Sequence, residues 1–257
     1  MNHTSPTVPP PTWSPLTSAL GFIFRHYKIL LLSLVLVAVT GLLTWVGYLV
    51  TIHLANGLTG HFFQQPPAAA GIKGWFLVKG WWLLKMLFLV ISRVIAFYLA
   101  FLLAFSLTSP GYVFLSTATE KTYLRDKFTE DAPFSWSGTL TDLVEGIKIA
   151  GLGIVVTIAA LVVNLIPGLG QILVFLLYTF YSALMFVDYP ASRRRWSLGR
   201  KIGWLKKNWL PALRLGLLPT LVSLVPLVNI FFMALLFPLF TVYTTLNFIA
   251  LEDRQPT

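Results

Sequence analysis

The sequence predicts an all-α integral membrane protein, with two long transmembrane helices followed by two helical hairpins that turn at prolines and penetrate the membrane half-way. Three observations predict it. Four long segments, 29–72, 94–119, 149–187 and 215–251, contain no Asp, Glu, Lys or Arg. The 257 residues are 56% hydrophobic and only 11% charged, where a soluble domain carries about 25% charged residues. The strict alternation of a membrane β-barrel strand is absent. A helix crosses the roughly 30 Å hydrocarbon core with about 20 apolar residues, and each of the four runs exceeds that length.

The elements follow in order. Residues 1–24 are uncharged and rich in Pro, Ser and Thr. They lack the basic start and short apolar core of a signal peptide. They read as a flexible leader ending in a short amphipathic piece, with 25–257 forming a single membrane domain. The first span covers about 29–55. The loop "NGLTGHFFQQPPAAAGIKG" then has the Gly, Pro and Asn of irregular structure. The second span covers about 75–108, and its 34 residues would measure roughly 50 Å as a helix. Its start, "GWFLVKGWWLLK", must therefore protrude or lie in the interface, where Trp75, Trp81 and Trp82 suit an aromatic belt. Ser109-Pro110-Gly111 is expected to end this helix. "TATEKTYLRDKFTED" reads as a solvated helix, and "SWSGTLTDLVEGIK" leads into the next apolar stretch.

Proline and two glycines interrupt that stretch at "NLIPGLGQI", residues 164–172. A single helix over 149–187 would be near 58 Å long, so the chain must turn. "SLVPLVNIF" at 223–231 repeats the pattern 59 residues later. The hairpins are expected at about 148–187 and 211–251, each closing on an acidic residue, Asp188 or Glu252. The arm from Pro211 to Leu224 would measure only about 21 Å, which argues for partial penetration. Pro167, Gly168, Gly170 and Pro226 make the turns. Asn164, Gln171 and Asn229 flank them and either cap freed backbone or line a pore.

A net charge of +10 could suggest nucleic acid, but its placement does not. With two spans in the first half, 15 of the 19 Lys and Arg fall on the side that holds both termini. The positive-inside rule makes that side cytoplasmic, and no nucleic-acid partner is expected. "DYPASRRRWSLGRKIGWLKKNW" carries seven cations against one carboxylate. Arg193, Arg194, Arg195, Arg200 and Lys201 in it either hold membrane lipid of anionic type or form an electrostatic funnel for anions. Arg25 and Lys28 flank His26 before the first span and are either topology signals or an anion site. Arg93 begins a charge-free run and either snorkels or marks a functional site.

Catalytic chemistry is not expected. His3, His26, His53 and His61 are scattered without metal-ligand spacing. There is no cysteine, no nucleophile motif and no phosphate loop. The expectation is no enzyme, no metal and no cofactor.

"LIPGLGQ" (165–171), "DYP" (188–190) with arginines after it and "LVPLVNIF" (224–231) together resemble the CysZ family of bacterial sulfate permeases, whose wider family includes the etoposide-induced membrane proteins. "SPG" (109–111) followed by "EK" (120–121) looks like the family's segment after the second span. The resemblance spans roughly Arg25 to Glu252. It implies a bacterial inner-membrane sulfate or oxyanion permease or channel, a homo-oligomer, supplying sulfur for cysteine biosynthesis. The family's Gly-x-Arg-Arg sulfate motif before the first span is here "FRHYKILLLS". Lys28 stands at the second Arg, Tyr27 at the first and Arg25 at the Gly. That departure leaves a non-transporting membrane scaffold or biogenesis protein as the alternative.

Overall fold

In a computed structural model the chain is built from helices and turns, with no strand among the described residues, which are 13–59, 67, 71–128, 136–224 and 226–253. The helices are α1 (Leu16–Arg25), α2 (Tyr27–Thr59), α3 (Gly71–Leu124), α4 (Trp136–Val163), α5 (Leu169–Arg193), α6 (Leu198–Lys207), α7 (Trp209–Ser223) and α8 (Pro226–Glu252). A single 3-10 turn, Arg125–Lys127, follows α3. Among the described residues, α2, α3, α4, α5 and α8 each contain a segment long and apolar enough to cross a membrane, while α1 and α7 are shorter apolar helices. The protein is an all-α, multi-pass membrane protein. The chain divides into two compact units, Leu36–Ser109 and the remainder.

The Leu36–Ser109 unit is a helix pair made of parts of α2 and α3. Ala96, Ala100 and Ala104 form a buried stripe at four-residue spacing on α3. Such small residues let two helix backbones approach closely where lipid offers no hydrophobic drive to pack. A Cβ added at Gly47 of α2 would lie 3.1 Å from the Ala100 Cβ, so the two helices cross closely at that glycine. The Thr40 hydroxyl donates to the Thr108 hydroxyl at 3.2 Å. Leu42, Trp45, Leu83 and Leu103 face outward, each more than half exposed, as suits surfaces solvated by hydrocarbon.

The larger unit has an aromatic centre. Tyr112 of α3, Phe186 of α5 and Phe237 of α8 pack with ring centroids 4.6 and 4.7 Å apart through Phe237. Tyr189 and Phe240 extend the cluster. Beside it α5 meets α7 at small residues. Ala183, Ala212 and Gly216 are all buried, and a Cβ on Gly216 would run into the Thr179 carbonyl oxygen. The Thr220 hydroxyl reaches across from α7 to the Ser182 Oγ at 2.9 Å.

Three expectations are corrected. Ser109-Pro110-Gly111 does not end the second helix, because Pro110 lies inside α3. Proline removes one backbone hydrogen bond, but Tyr112, Leu115, Ser116 and Thr119 beyond it are buried, and packing holds that segment helical. For the same reason "TATEKTYL" is solvated on one side only: Thr119 and Glu120 are fully buried, while Lys121 is exposed. The first hairpin is also longer than 148–187, since α4 begins at Trp136 and α5 runs through Pro190 to Arg193. Both its arms are then long enough to cross a bilayer. The 15-residue α7 is about 22 Å long, shorter than the hydrocarbon core.

The amphipathic end of the leader is α1, and it is docked rather than free. The Ser14 N–H donates to the Asn247 Oδ1 at 2.8 Å, and the Asn247 Nδ2 donates back to the Ser14 carbonyl at 3.0 Å. Ala19 and Ile23 are buried, and Trp13 sets its edge against Tyr243. The folded part thus extends upstream of residue 25.

Candidate functional site

The break between α1 and α2 presents the first group of cations. His26 is the non-helical residue between them, with φ −114° and ψ 93°. Its carbonyl accepts from the Ile29 and Leu30 N–H groups, which starts α2. Its Nδ1 donates to the Phe22 carbonyl at 2.8 Å, so Nε2 is the ring nitrogen left to face a ligand. Arg25 and Lys28 lie on either side of it and are both exposed. Neither forms an ion pair among the described residues. The first amides of α2 carry the positive end of its dipole, and so the break collects positive potential with few internal partners. Arg93 belongs to the other compact unit, where it is exposed rather than buried.

The basic run after Pro190 is divided. Arg193 and Arg194 both donate through Nη2 to the Glu120 Oε1 at 2.8 Å. Lys201 is fully buried and its Nζ donates to the Asp188 Oδ1 at 2.6 Å. Of the five cations read as either a lipid-holding surface or an anion funnel, three are engaged inside the fold, and only Arg195 and Arg200 are exposed. The physical reason is desolvation. A buried cation needs a close carboxylate, and helices α3 and α5 supply one each.

Helix α6 is held by three carboxylates on three different helices. The Leu198 N–H donates to the Glu145 Oε2 of α4 at 2.6 Å, Lys201 pairs with Asp188 of α5, and the Trp204 indole N–H donates to the Glu252 Oε1 of α8 at 2.7 Å. Residues 198, 201 and 204 recur every three positions, which keeps them on one side of the helix. The two acidic residues expected to close the hairpins are thus anchors for this linker.

The hairpin tip closes on its backbone. Gly168 has φ 77° and ψ −53°, and the Leu169 N–H donates to the Pro167 carbonyl at 2.9 Å. That is a γ-turn of the rare positive-φ kind, which glycine adopts without a Cβ clash. A Cβ on Gly170 would come within 2.5 Å of the Val163 carbonyl oxygen, so the second glycine lets α5 leave close to the end of α4. Asn164 and Gln171 were expected either to cap freed backbone at this turn or to line a pore. They are exposed, and neither side chain has a hydrogen-bond partner among the described residues. Ile166 and Gly170 supply that bond through backbone instead, at 2.9 Å. At the second turn Pro226 is the first residue of α8, a position where its missing N–H costs nothing. The side chains of Pro226 and Asn229 lie outside the described residues.

Sequence reasoning missed Glu120 and Asn247. Each is a polar residue buried to 0% exposure, and Asn247 was legible as one of two amides within the charge-free run 215–251. His53 is exposed, while His3 and His61 lie outside the described residues. No group of three or more His, Asp or Glu gathers among the described residues to hold a metal ion.

A family model described as "Sulfate transporter CysZ/Etoposide-induced protein 2.4" matches residues 16–234. No curated protein matches the chain.

Proposed function

Because the chain belongs to the sulfate transporter CysZ/etoposide-induced protein 2.4 family, we propose that it is a permease or channel for sulfate or a related oxyanion. The observation that carries this is the family match, which runs from the start of α1 into α8. It takes in the cationic break, the first hairpin, α6, α7 and the start of α8. The reading needs no catalytic step, metal or cofactor. It places the protein in a bacterial inner membrane with both termini cytoplasmic, taking up anion for sulfur assimilation and cysteine synthesis. The outward apolar surface of the Leu36–Ser109 unit supports assembly with further copies.

In this reading Arg25, Lys28 and the first amides of α2 receive the anion, and His26 is held against the end of α1 by its bond to Phe22. A dianion gains from donors that are fixed before it arrives. Within the larger unit the tip residues Asn164, Gln171 and Asn229 are candidates for the later path. The test is sulfate flux into proteoliposomes. Arg25→Ala/Lys28→Ala is expected to lower initial flux about tenfold or more, from the loss of two charge-assisted contacts. Flux equal to that of empty liposomes in the unsubstituted protein would refute transport and favour the scaffold reading. That second reading rests on Tyr27 and Lys28 standing where the family carries paired arginines.

A further inference from the structure

The outer face of α6 has no role in the anion reading above. On the helical wheel Lys201, Trp204 and Leu205 fall on one side, and all three are buried. Gly199, Arg200, Gly203, Lys206 and Lys207 fall on the other, and all five are exposed. The three carboxylates that hold α6, Glu145, Asp188 and Glu252, are bound to its inner side and to its first amide. The outer face therefore has cations and glycines but no acid. A Cβ added at Gly199 or Gly203 would meet nothing within 4 Å, so the floor between Arg200 and Lys206 is open.

The surroundings add to this. Arg195 is exposed in the turn before α6 with φ 50°, a backbone state that an arginine rarely adopts and that marks local strain. The Arg200 guanidinium is braced on the Trp196 ring at 4.4 Å. Immediately after α6, Trp209 and Leu210 are 57% and 49% exposed. The helix links the apolar helices α5 and α7. It therefore runs where the chain leaves and re-enters the apolar layer, with indole and leucine at the re-entry point. A basic amphipathic helix in that place meets the headgroups of its own leaflet.

The geometry points to the outer face of α6 as a binding site for the phosphate of an anionic phospholipid. Arg195, Arg200 and Lys206 supply the charge, Gly199 and Gly203 let the phosphate approach the helix closely, and Trp209 with Leu210 borders the acyl chains. The inner clamp keeps this face turned outward. The site is separate from Arg25 and Lys28, so loss of transport does not bear on it.

The experiment uses the full chain purified in detergent and loaded with equal parts of phosphatidylglycerol and phosphatidylcholine, with retained lipid counted by native mass spectrometry. The unsubstituted protein is expected to keep phosphatidylglycerol preferentially. Each basic residue near an anionic surface contributes about fivefold, so Arg200→Gln/Lys206→Gln should lower that preference about 25-fold. Lys73→Gln/Lys79→Gln, two exposed lysines of the other unit, should leave it unchanged. Gly203→Leu fills the floor without altering charge or crowding a neighbour, and should lower the preference as well. Unchanged melting temperatures in both α6 variants confirm that the fold is intact. Wild-type preference in either α6 variant overturns the proposal. So does a site that millimolar inorganic sulfate empties of lipid, since it would then belong to the free anion.

Discussion

Glu120→Gln isolates the charge at the junction of α3 and α5. The Glu120 side chain is 1% exposed, and its Oε1 accepts from Arg193 and Arg194, which are 11% and 20% exposed. The amide keeps the shape and one acceptor oxygen but removes the negative charge. A hydrogen bond to a charged partner contributes about 1 kcal/mol more than a neutral one, which gives about 2 kcal/mol for two. Removing the carboxylate charge from beside two guanidiniums raises this toward the 3–5 kcal/mol measured when a buried pair is broken. The residual exposure of both arginines holds the sum near the low end, at about 3 kcal/mol. For a chain of this size that is a fall in melting temperature of about 6–12 °C. The nine tryptophans give the assay, intrinsic fluorescence during a thermal ramp in detergent. A double-mutant cycle with Arg194→Gln should show a coupling of about 1 kcal/mol or more. A Glu120→Gln protein melting within about 1 °C of the parent would refute the reasoning, as would a coupling of zero.

Three further outcomes follow from the same geometry. Gly168→Ala forces a Cβ into positive φ with open space around it, so its cost is conformational alone, about 1–3 kcal/mol; an unchanged melting temperature would count against the γ-turn. Gly216→Ala fails for the other reason, contact with the Thr179 carbonyl oxygen of α5, and overpacking of that kind costs about 1–3 kcal/mol. Its signature is faster amide exchange in both α5 and α7, and exchange unaltered in α5 would show that the contact is not tight. Asn247→Ala removes the amide that binds Ser14 on both its N–H and its carbonyl. Amide exchange over 14–25 should accelerate while α5 and α7 stay protected, and equal protection in α1 would mean that burial of Ala19 and Ile23 alone suffices to dock it.

What the sequence made legible were properties that lie within one stretch of chain. Charge-free runs longer than a bilayer located the apolar helices, since no polar alternative satisfies so much apolar surface. Pro167-Gly168 located a turn, because one residue cannot continue a helix and the other accepts positive φ. What stayed hidden were properties that need two stretches. Pro110 and Gly111 read as a stop because the local rule disfavours both in a helix. The rule was overridden by partners in α5 and α8, Tyr189 and Phe237, which pack on Tyr112. Glu120 read as solvent-facing because its composition is polar. Its neutralising arginines are 73 and 74 residues away, and no pattern within α3 announces them. Asn164 and Gln171 read as caps because polar side chains often finish a turn. The turn closes instead through backbone bonds from Leu169 to Pro167 and from Gly170 to Ile166.

The division of the basic run changes how its charge can act. As a sequence it is one block with a net surplus of six. In the fold Arg193, Arg194 and Lys201 sit against Glu120 and Asp188, and a close ion pair has almost no field beyond its own neighbourhood. Fields from the remaining exposed cations fade over about 8 Å at physiological salt. The inner set therefore acts as a fastener among α3, α5 and α6, and cannot steer anions from solution. The outer set, Arg195, Arg200 and Lys206, keeps a field, but a headgroup bound there would cancel it. With a lipid on α6, Arg25 and Lys28 at the break before α2 are among the exposed cations of this unit still available to a soluble dianion. The departure at Tyr27 then matters more than the long basic run downstream. Substrate affinity should follow the residues at positions 25–28 and be indifferent to those at 195–206, even though the second group holds more charge.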